Sequence, residues 1–489
     1  MNALLTLPIM IPLLGAAACL AIPQRLVAQR VVALVALGAA TAVAIALAVL
    51  VDRDGPASVA LGGWNPLVGV ALVADRLASL VLVVALVMLS AVAVYAIGQR
   101  ARSGNSPFYY PAYLGLSAGV SGAFLAGDLF NLFVFFEVLL MASYVLMTLE
   151  GTNAQIRSGT TYVVLNVVES TVLLAAVGLV YAATGTVNFA ELPERLAELP
   201  DSTRTALNLL LLLAFGLKAA VFPLFFWLPD SYPSAASPVT AVFAGLLTKI
   251  GVYAMIRTET LLFPGDERNL LLVVAGATML VGAVGAIAHK EMKRILSFHI
   301  VSQIGYLVLG IAIGTEAALA ATVFYLVHHI PVKTSLFLVE GIVEDEAGTS
   351  DIDRISGLAR VSGPLAVLFL IPALSLAGIP PFSGFVAKLG IIRSGIEGGA
   401  VWYAAIGLLA SVLTLVSMTK IWVGAFWGPA DTEPKRPLTN RRLMTGATTV
   451  VVAVTLAVAA FAGPLFELAQ RAAQTLHDPA AYIQAVRGS

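Results

Sequence analysis

Residues 209–229, LLLLLAFGLKAAVFPLFFWLP, are apolar enough to lie inside a bilayer, but they contain two residues that a membrane helix rarely accepts. Lys218 places a charge near the middle of the stretch, which costs about 2.5–3.5 kcal/mol on insertion scales. Pro223, five residues later, lacks the backbone N–H that would continue the helix. A charge and a helix break at the same depth in the membrane predict that this segment has a functional role.

The composition indicates that most of the chain lies in a membrane. Of the 489 residues, 59% are hydrophobic and 11% are charged, with a mean hydropathy of +0.93, whereas soluble domains contain about 25% charged residues. The net charge is zero, so we expect no nucleic-acid partner. The single cysteine, Cys19, excludes an internal disulfide. Residues 1–22 lack a basic N-terminal region, so we expect a retained helix and not a signal peptide.

A membrane helix needs about 20 apolar residues to cross, and this rule predicts an all-α polytopic membrane protein with about fourteen spans. Alternating apolar strands, which would indicate a transmembrane barrel, are absent from the sequence. Gly127 and Asp128 are expected to form the turn between the fourth and fifth spans. The predicted spans are 2–22, 28–51, 74–98, 107–127, 128–149, 157–183, 204–228, 236–257, 269–288, 294–314, 317–341, 364–394, 401–427 and 443–470.

The distribution of Lys and Arg predicts the orientation. An even number of spans places both termini on one side of the membrane. The loops after odd-numbered spans hold fourteen basic residues, and the opposite side with the C-terminal tail holds eight. The positive-inside rule then makes the first set cytoplasmic and both termini external. The first set is Arg25, Arg30, Arg100, Arg102, Arg157, Lys290, Lys293, Arg294, Arg354, Arg360, Lys435, Arg436, Arg441 and Arg442.

Two blocks of five spans suggest an internal repeat. Residues 1–106 hold the first three helices, residues 107–260 and 261–428 form the blocks, and residues 429–489 hold the last helix and tail. Because each block has an odd number of spans, the second is inverted relative to the first. The fourth span of each block is broken by proline, at Pro223 and at Pro380 with Pro381. Single proline kinks are common in membrane helices, but paired breaks, each beside a lysine, indicate a transporter ion site.

Several ionisable residues are predicted to lie within the spans, where they mark ion or proton paths. The candidates for proton transfer are Glu137, Lys218, Lys249, His329, Lys333 and Lys388. His328, Lys420 and Glu169 are further candidates, each of which could instead have a structural role.

The residue types suit proton transfer. Burial weakens the hold of a lysine on its proton, and a nearby carboxylate strengthens it again. We therefore expect Glu137 to pair with Lys218 and to control its proton, although a purely structural ion pair is the alternative. His329 and Lys333 share a helix face, since they are four residues apart. Pro223 leaves the carbonyl of Ala219 without its helical partner, and water could satisfy it.

We expect neither a bound metal nor a cofactor. The five histidines, His289, His299, His328, His329 and His477, show no ligand spacing with carboxylates. No nucleotide-binding motif is present, and no loop is long enough to hold a catalytic domain, so an independent enzyme is not expected.

Five stretches of the sequence resemble a known family. They are DLFNLFVFFEVLLMASYVL (128–146), AGLLTKIGVYAMIR (244–257), KRILSFHIVSQIGYLVLGI (293–311), HHIPVKTSLFL (328–338) and GIPPFSGFVAKLGI (378–391). They are similar to the antiporter-like membrane subunits that respiratory complex I shares with the Mrp-type multisubunit Na⁺/H⁺ antiporters. The resemblance extends from about residue 70 to about residue 430. Within this family, the fifth span and the chain length are most similar to the D-type subunits.

The resemblance implies which residues form the site and what surrounds the chain. The ionisable residues that the family carries in its fifth, seventh, eighth, eleventh and twelfth spans correspond to Glu137, Lys218, Lys249, His329 with Lys333, and Lys388. It also implies a hetero-oligomer with A-, B-, C-, E-, F- and G-type subunits in a bacterial plasma membrane. The transported ions would be protons and Na⁺.

The resemblance leads to one main hypothesis and two alternatives. In the main hypothesis, a proton reaches Lys218 at the broken seventh span, passes through Lys249 to His329 and Lys333, and leaves near Lys388. Charge repulsion along this row would couple the proton to Na⁺ that crosses elsewhere in the complex. The first alternative is a proton-pumping subunit of a redox complex, such as complex I or a membrane-bound hydrogenase. The second is a structural scaffold for neighbouring subunits.

Overall fold

The computed structural model describes residues 2–65, 67, 69–99, 106–429 and 441–488, and most of these residues are helical. Four of the basic residues counted for the orientation, Arg100, Arg102, Lys435 and Arg436, lie outside the described residues.

The N-terminal part contains three long helices and a short hairpin. The elements are α1 (Asn2–Ala21), α2 (Leu26–Asp54), β1 (Ala57–Ala60), β2 (Ala71–Ala74) and α3 (Arg76–Gly98). The two strands pair antiparallel, with Ala57 opposite Ala74. The hairpin was not predicted from the sequence, because strands of four residues are too short to show a clear alternation of apolar and polar positions.

The middle of the chain holds eight α-helices and two π-helical turns. The helices are α4 (Tyr109–Leu125), α5 (Leu129–Thr148), α6 (Asn153–Thr184), α7 (Leu192–Ala197), α8 (Asp201–Ala219), α9 (Trp227–Ser231), α10 (Ser237–Val242) and α11 (Thr248–Arg257). The π-turns, Phe243–Leu247 and Thr258–Leu262, join α10 to α11 and extend α11. Asp128 caps α5 by accepting a hydrogen bond from the Asn131 N–H, which confirms the predicted turn before the fifth span.

The remaining helices complete the bundle. They are α12 (Arg268–Ala288), α13 (Met292–Ile313), α14 (Glu316–Ala347), α15 (Leu358–Val361), α16 (Gly363–Ala377), α17 (Ser383–Glu397), α18 (Val401–Ile421), α19 (Arg441–Ala460), α20 (Ala462–His477) and α21 (Ala480–Arg487). A π-turn, Trp422–Phe426, continues α18.

Every predicted span coincides with helical structure. Within the described residues, eleven helices are long and apolar enough to cross a membrane. The other three predicted spans contain shorter or more charged helices: α4, α8 with α9, and α16 with α17. The last two pairs are the spans that the prolines divide. The chain is therefore a multi-pass membrane protein, and the number of fourteen crossings stays a prediction.

The two breaks have the same local design. After α8, Ala220 adopts the left-handed conformation and donates its N–H to the helix-end carbonyls of Gly216 and Leu217. After α16, Gly378 does the same toward Leu374 and Ser375. Pro223 and Pro381 follow three residues after these caps. A left-handed cap is the usual way to end a helix, but alanine is uncommon in that conformation.

Glycines bring two helix pairs into backbone contact. A Cβ on Gly119 of α4 would lie 2.6 Å from the Leu139 backbone nitrogen of α5, and a Cβ on Gly282 of α12 would lie 2.4 Å from that of Ser302 in α13. In both pairs the partner comes twenty residues later in the sequence. Small residues allow such close packing of membrane helices. The matching pairs support the predicted repeat, whose exact boundaries stay a prediction.

Helix α14 is the central element of the bundle. Its residues 318–343 are all buried, and so are residues 237–259 of the segment that runs through α10 and α11. By contrast, α2, α6 and α18 present exposed Val, Ile and Leu side chains on their outer faces. Lys249 on α11 and His328, His329 and Lys333 on α14 are therefore kept away from lipid.

Candidate proton-transfer site

A buried ion pair joins α8 to α6. Lys218 Nζ lies 3.2 Å from Glu169 Oε2 and donates to Asn166 Oδ1 at 3.3 Å. Glu169 and Asn166 are three residues apart on one face of α6, so both reach the same amine. Lys218 and Glu169 are each only 2% exposed. The amine also lies 5.7 Å from the centre of the Phe136 ring.

The partner of Lys218 differs from the predicted one. We expected Glu137 of α5, but in the structure Glu137 accepts a hydrogen bond from the Ser170 hydroxyl of α6. Helix α6 packs against both α5 and α8, and its Glu169 is the carboxylate that reaches Lys218. Glu137 is half-buried and bonds to the residue next to Glu169. Glu137 thus acts on the amine from a distance, and Glu169 is the carboxylate in direct contact.

Lys249 follows a π-helical turn and bonds to it. Its Nζ donates to the carbonyl oxygen of Ala244 at 2.5 Å and to Thr248 Oγ1 at 3.3 Å. The side chain is fully buried, and no ion pair among the described residues includes it. Single π-turns in longer helices are frequent at functional sites. Lys249 is a buried amine that is held by neutral oxygens.

Gly251 brings Lys249 and Lys218 into one region. A Cβ on Gly251 would lie 2.7 Å from the Ala219 nitrogen and 3.0 Å from Lys218 Cβ. Helix α11 therefore packs against the last two residues of α8, Lys218 and Ala219, and the break begins directly after them. The absence of a side chain at Gly251 allows this contact.

His329 and Lys333 lie on α14, one turn apart. Lys333 Nζ donates to the Leu296 carbonyl oxygen of α13 at 3.2 Å. Neither ring nitrogen of His329 has a hydrogen-bond partner within the described part of the chain. A Cβ on Gly245, in the π-turn before Lys249, would lie 2.4 Å from Thr334 Oγ1. This contact joins the Lys249 segment to the turn of α14 that holds Lys333.

The second break holds Lys388 and contacts His328. Lys388 Nζ lies 4.8 Å from the centre of the Tyr306 ring and 3.4 Å from the Ala377 carbonyl oxygen, the last residue before the break. His328 Nδ1 lies 2.8 Å from Ser383 Oγ, at the start of α17. The charges of Lys249 and Lys388 both act on Lys333. Lys249, His329, Lys333 and Lys388 therefore form one group of interacting basic residues, and the Gly251 contact places Lys218 next to it.

Similarities to known proteins identify the family. A family model described as "NADH:quinone oxidoreductase/Mrp antiporter, TM" matches residues 126–414 of the chain. The chain belongs to this family.

Relatives of the Mrp antiporter family match the chain over almost its whole length. The chain is 40% identical to the D-type Na⁺/H⁺ antiporter subunit of Alkalihalophilus pseudofirmus and 36% identical to that of Bacillus subtilis, with 99% of each chain covered. A chain in the Mrp complex from a Dietzia species superposes with a TM-score of 0.94 at 36% identity, and 100% of both chains is covered. The resemblance to this family that the sequence motifs predicted is confirmed.

The fold is shared with respiratory membrane complexes. A chain of an archaeal membrane-bound sulfane sulfur reductase superposes with a TM-score of 0.91 at 25% identity, covering 99% of this chain and 100% of the other. A chain of respiratory complex I from Thermus thermophilus gives a TM-score of 0.81 at 25% identity, with 96% and 99% covered.

Lys420 differs from the other candidates in its contacts. It lies beyond the part of the chain that the family model matches. Its Nζ donates to the carbonyl oxygens of Ile287 and His289, at 2.9 and 2.6 Å, where α12 ends. A lysine amine near the C-terminus of a helix can donate to the unpaired carbonyl oxygens of the last turn, and its positive charge interacts favourably with the helix dipole. The geometry of Lys420 is that of a helix cap.

Helix α13 carries a polar row that was not predicted from the sequence. His299 Nε2 lies 2.5 Å from Ser417 Oγ, Gln303 accepts a hydrogen bond from Tyr325, and the Tyr306 hydroxyl donates to the Gly407 carbonyl oxygen at 2.5 Å. The spacing of His299, Gln303 and Tyr306, at intervals of four and three residues, was the available signal. The sequence analysis considers His299 only as a metal ligand. No cluster of three His, Cys, Asp or Glu side chains fit for a metal ion occurs among the described residues.

Proposed function

We propose that this chain is the proton-translocating subunit of a multisubunit Na⁺/H⁺ antiporter, a secondary ion transporter and not an enzyme. Its similarity to proteins named as D-type subunits of Na⁺/H⁺ antiporters, over 99% of the chain, supports this proposal. The likeness to a chain of a solved Mrp complex supports assembly with other subunits. The sequence resemblance implies that these subunits are of the A, B, C, E, F and G types.

The observation that carries the proposal is the buried row of exchangeable groups. It begins at the Lys218–Glu169 pair, continues to Lys249 across the Gly251 contact, and reaches α14 through the contact of Gly245 with Thr334. Buried ionisable groups are expensive in a membrane protein and mark ion or proton paths. A row that runs from one broken helix to the other fits transfer across the centre of the bundle.

The pair of Lys218 and Glu169 provides the control step. While the two groups touch, the carboxylate stabilises the charged ammonium form, and Lys218 keeps its proton. When α8 moves away from α6, the desolvated amine gives up its proton more readily, and Lys249 is the next amine along the row. Glu137 contributes a second negative charge through Ser170 beside Glu169.

From Lys249 the proton continues to α14 and the second break. His329 and Lys333 receive it on the face of α14 that is packed against the π-turn, and Lys388 passes it on. Because neighbouring positive charges repel, a proton that arrives at one lysine favours release from the next. This repulsion would couple the row to a Na⁺ ion that enters elsewhere in the complex.

We infer a location in the plasma membrane of a bacterium, with both termini on the external side. The distribution of Lys and Arg supports the orientation, and the bacterial relatives support the membrane. The exposed apolar faces of α2, α6 and α18 suit contact with lipid or with other membrane subunits.

The test is antiport by the assembled complex in membrane vesicles with a fluorescent pH probe. Lys218→Ala and Lys249→Ala should each abolish Na⁺-dependent proton exchange while the complex still assembles. Exchange at the wild-type rate in a complex whose buried lysines are all replaced would contradict the proposal. That result would favour a scaffold for neighbouring subunits.

A proton-pumping subunit of a redox complex is the second candidate. The likeness to chains of a sulfane sulfur reductase and of complex I favours it. The buried row would suit that role equally well, so the two functions can be distinguished only by the subunits with which the chain assembles. Flavin or iron–sulfur absorbance that co-purifies with the native complex would support the redox complex, and its absence together with Na⁺-dependent exchange would support the antiporter.

A further inference from the structure

Glu340 is a buried carboxylate that the proposed proton row does not use. It lies on α14 and is fully buried, and its carboxylate forms no ion pair and no hydrogen bond of normal geometry among the described residues; the Ser350 hydroxyl and the Lys293 ammonium group are the nearby groups that stabilise its charge. A buried carboxylate without a directly contacting cation is costly for a fold. Such a group is expected to be retained where it binds a proton or a cation.

The position of Glu340 on α14 connects it to Lys333. An α-helix turns by about 100° and rises by about 1.5 Å for each residue. Glu340, seven residues after Lys333, is therefore about 20° from it around the helix and about 10 Å further along. Glu344 falls within about 20° of Lys333 as well. The face of α14 that carries His329 and Lys333 thus continues to Glu340 and Glu344.

Polar contacts between α13 and α14 follow this face of α14. At its inner part, Lys333 donates to the Leu296 carbonyl oxygen, and at its outer part Lys293 Nζ donates to Glu344 Oε2 at 2.6 Å. Glu344 is half-buried, whereas Glu340 is fully buried. Acidic side chains therefore continue from the surface of the bundle to within about two turns of Lys333.

We propose that Glu340 is the proton-access residue that links the central row to the side of the membrane where α14 ends. The inference rests on the proposed antiport function and adds a route to it. The carboxyl group of Glu340 takes up a proton at the Glu344 end and becomes neutral. It then gives this proton through one water molecule to the neutral amine of Lys333, which becomes an ammonium ion while Glu340 returns to a carboxylate.

The orientation of the chain in the membrane determines to which side the Glu340 route opens. Helix α14 ends at Ala347, and the following loop carries Arg354 and Arg360, which the positive-inside rule places in the cytoplasm. The route therefore connects Lys333 with the cytoplasm. The charged and titratable groups that act on Glu340 come from three helices: Lys293 of α13, Glu344 and Asp345 of α14, and Tyr95 of α3.

The first test compares three variants of the complete complex in everted vesicles. Glu340→Gln should lower Na⁺-dependent proton exchange at least tenfold per assembled complex. Glu340→Asp retains a titratable group and should keep part of the exchange with a displaced pH profile. The matched control is Glu346→Gln on the same helix. Glu346 is almost as buried but pairs with Arg441 on the opposite side, about 140° from Lys333, and its replacement should leave exchange within twofold of wild type.

A second test measures access directly and does not need antiport. In a Cys19→Ala background, Glu340→Cys should react with a membrane-impermeant thiol reagent added to everted vesicles, whose outer surface is the cytoplasmic one. Ile342→Cys, also fully buried but on the opposite face of α14, should react at least tenfold more slowly. Modification of Glu340→Cys from the other side alone, or no faster than Ile342→Cys, would overturn the proposal.

The two proposals can fail separately. If the wild-type complex shows no Na⁺-dependent exchange, the antiport function fails, and the thiol reaction still decides whether water reaches position 340. If the wild type exchanges and Lys218→Ala does not, but Glu340→Gln exchanges within twofold of wild type, only the access route is wrong. An equal loss in Glu346→Gln and Glu340→Gln would assign Glu340 a structural role.

Discussion

The ammonium group of Lys218 lies 3.2 Å from the Glu169 carboxylate, at the last turn of a helix that ends one residue later. Both side chains are buried, so neither charge is solvated by bulk water. The pair spans the contact between α6, which is continuous, and α8, which belongs to a broken span. The distance between the Lys218 amine and the Glu169 carboxylate therefore depends on the position of α8.

Replacement of Glu169 should separate the contribution of the pair to stability from its contribution to transport. Glu169→Leu leaves the Lys218 charge unpaired in the interior, and removal of one partner from a buried pair costs about 3–5 kcal/mol. We expect a clear decrease in the thermal stability of the complex. The double variant Glu169→Leu with Lys218→Met should recover most of this stability and still show no antiport. Recovery of antiport in the double variant would show that the pair is not part of the proton path.

Arginine at position 249 should block transfer while keeping the charge. A guanidinium group does not lose its proton in proteins. Lys249→Arg should therefore lower Na⁺-dependent exchange at least tenfold in vesicles, with a normal amount of complex. The control is Lys290→Arg, because Lys290 is exposed and forms a surface ion pair with Asp353. Equal activity in the two variants would mean that Lys249 contributes only its positive charge.

A methyl group at position 251 should separate the helices that carry Lys218 and Lys249. The added Cβ of Gly251→Ala would lie 2.7 Å from the Ala219 nitrogen, so α11 and α8 must move apart. Overpacking of this kind costs about 1–3 kcal/mol, and we expect both thermal stability and antiport to decrease. Gly178→Ala is the control, since a Cβ there meets no atom within 4 Å. A Gly251→Ala complex with unchanged exchange would show that transfer does not need this close contact.

Lys420 should be dispensable for antiport. Its amine caps the end of α12, and a cation at a helix C-terminus contributes about 0.3–1 kcal/mol. Lys420→Met should lower thermal stability slightly and leave exchange within twofold of wild type, measured beside Lys388→Met, which should abolish it. If exchange is lost in both variants to the same degree, Lys420 belongs to the transport path.

The sequence predicted the helices and the family because long apolar stretches and continuous motifs are local features. It also located the turn at Asp128 and both breaks, since proline acts on its own helix. The predicted partner of Lys218 was wrong because such a contact depends on how three helices pack against one another. Glu169 and Glu137 are both acids in apolar surroundings, and only packing shows that α6 brings Glu169 to Lys218, whereas α5 approaches the amine with the Phe136 ring.

The roles of three other residues could not be predicted from the sequence for related reasons. Lys420 resembles Lys249 closely, since both occur in a Thr-Lys-Ile triplet, but the end of α12 meets only the former. His299 has the spacing of a helix-face residue, and its environment depends on Ser417, more than a hundred residues later. Glu340 lies near an acidic run, residues 344–346, that resembles a solvated helix end.

The glycine contacts of α4 with α5 and of α12 with α13 limit which parts of the bundle can move during a transport cycle. Where backbones touch without intervening side chains, one helix cannot slide along the other unless the whole contact opens. We therefore expect these two pairs to move as rigid units. We expect the displacement that lengthens the distance between Lys218 and Glu169 to occur at the interrupted spans: at α8, together with the α11 backbone that it touches at Gly251, and at α16 with α17. Labels that report distance should show narrow distributions across each glycine pair and a broad one between α6 and α8.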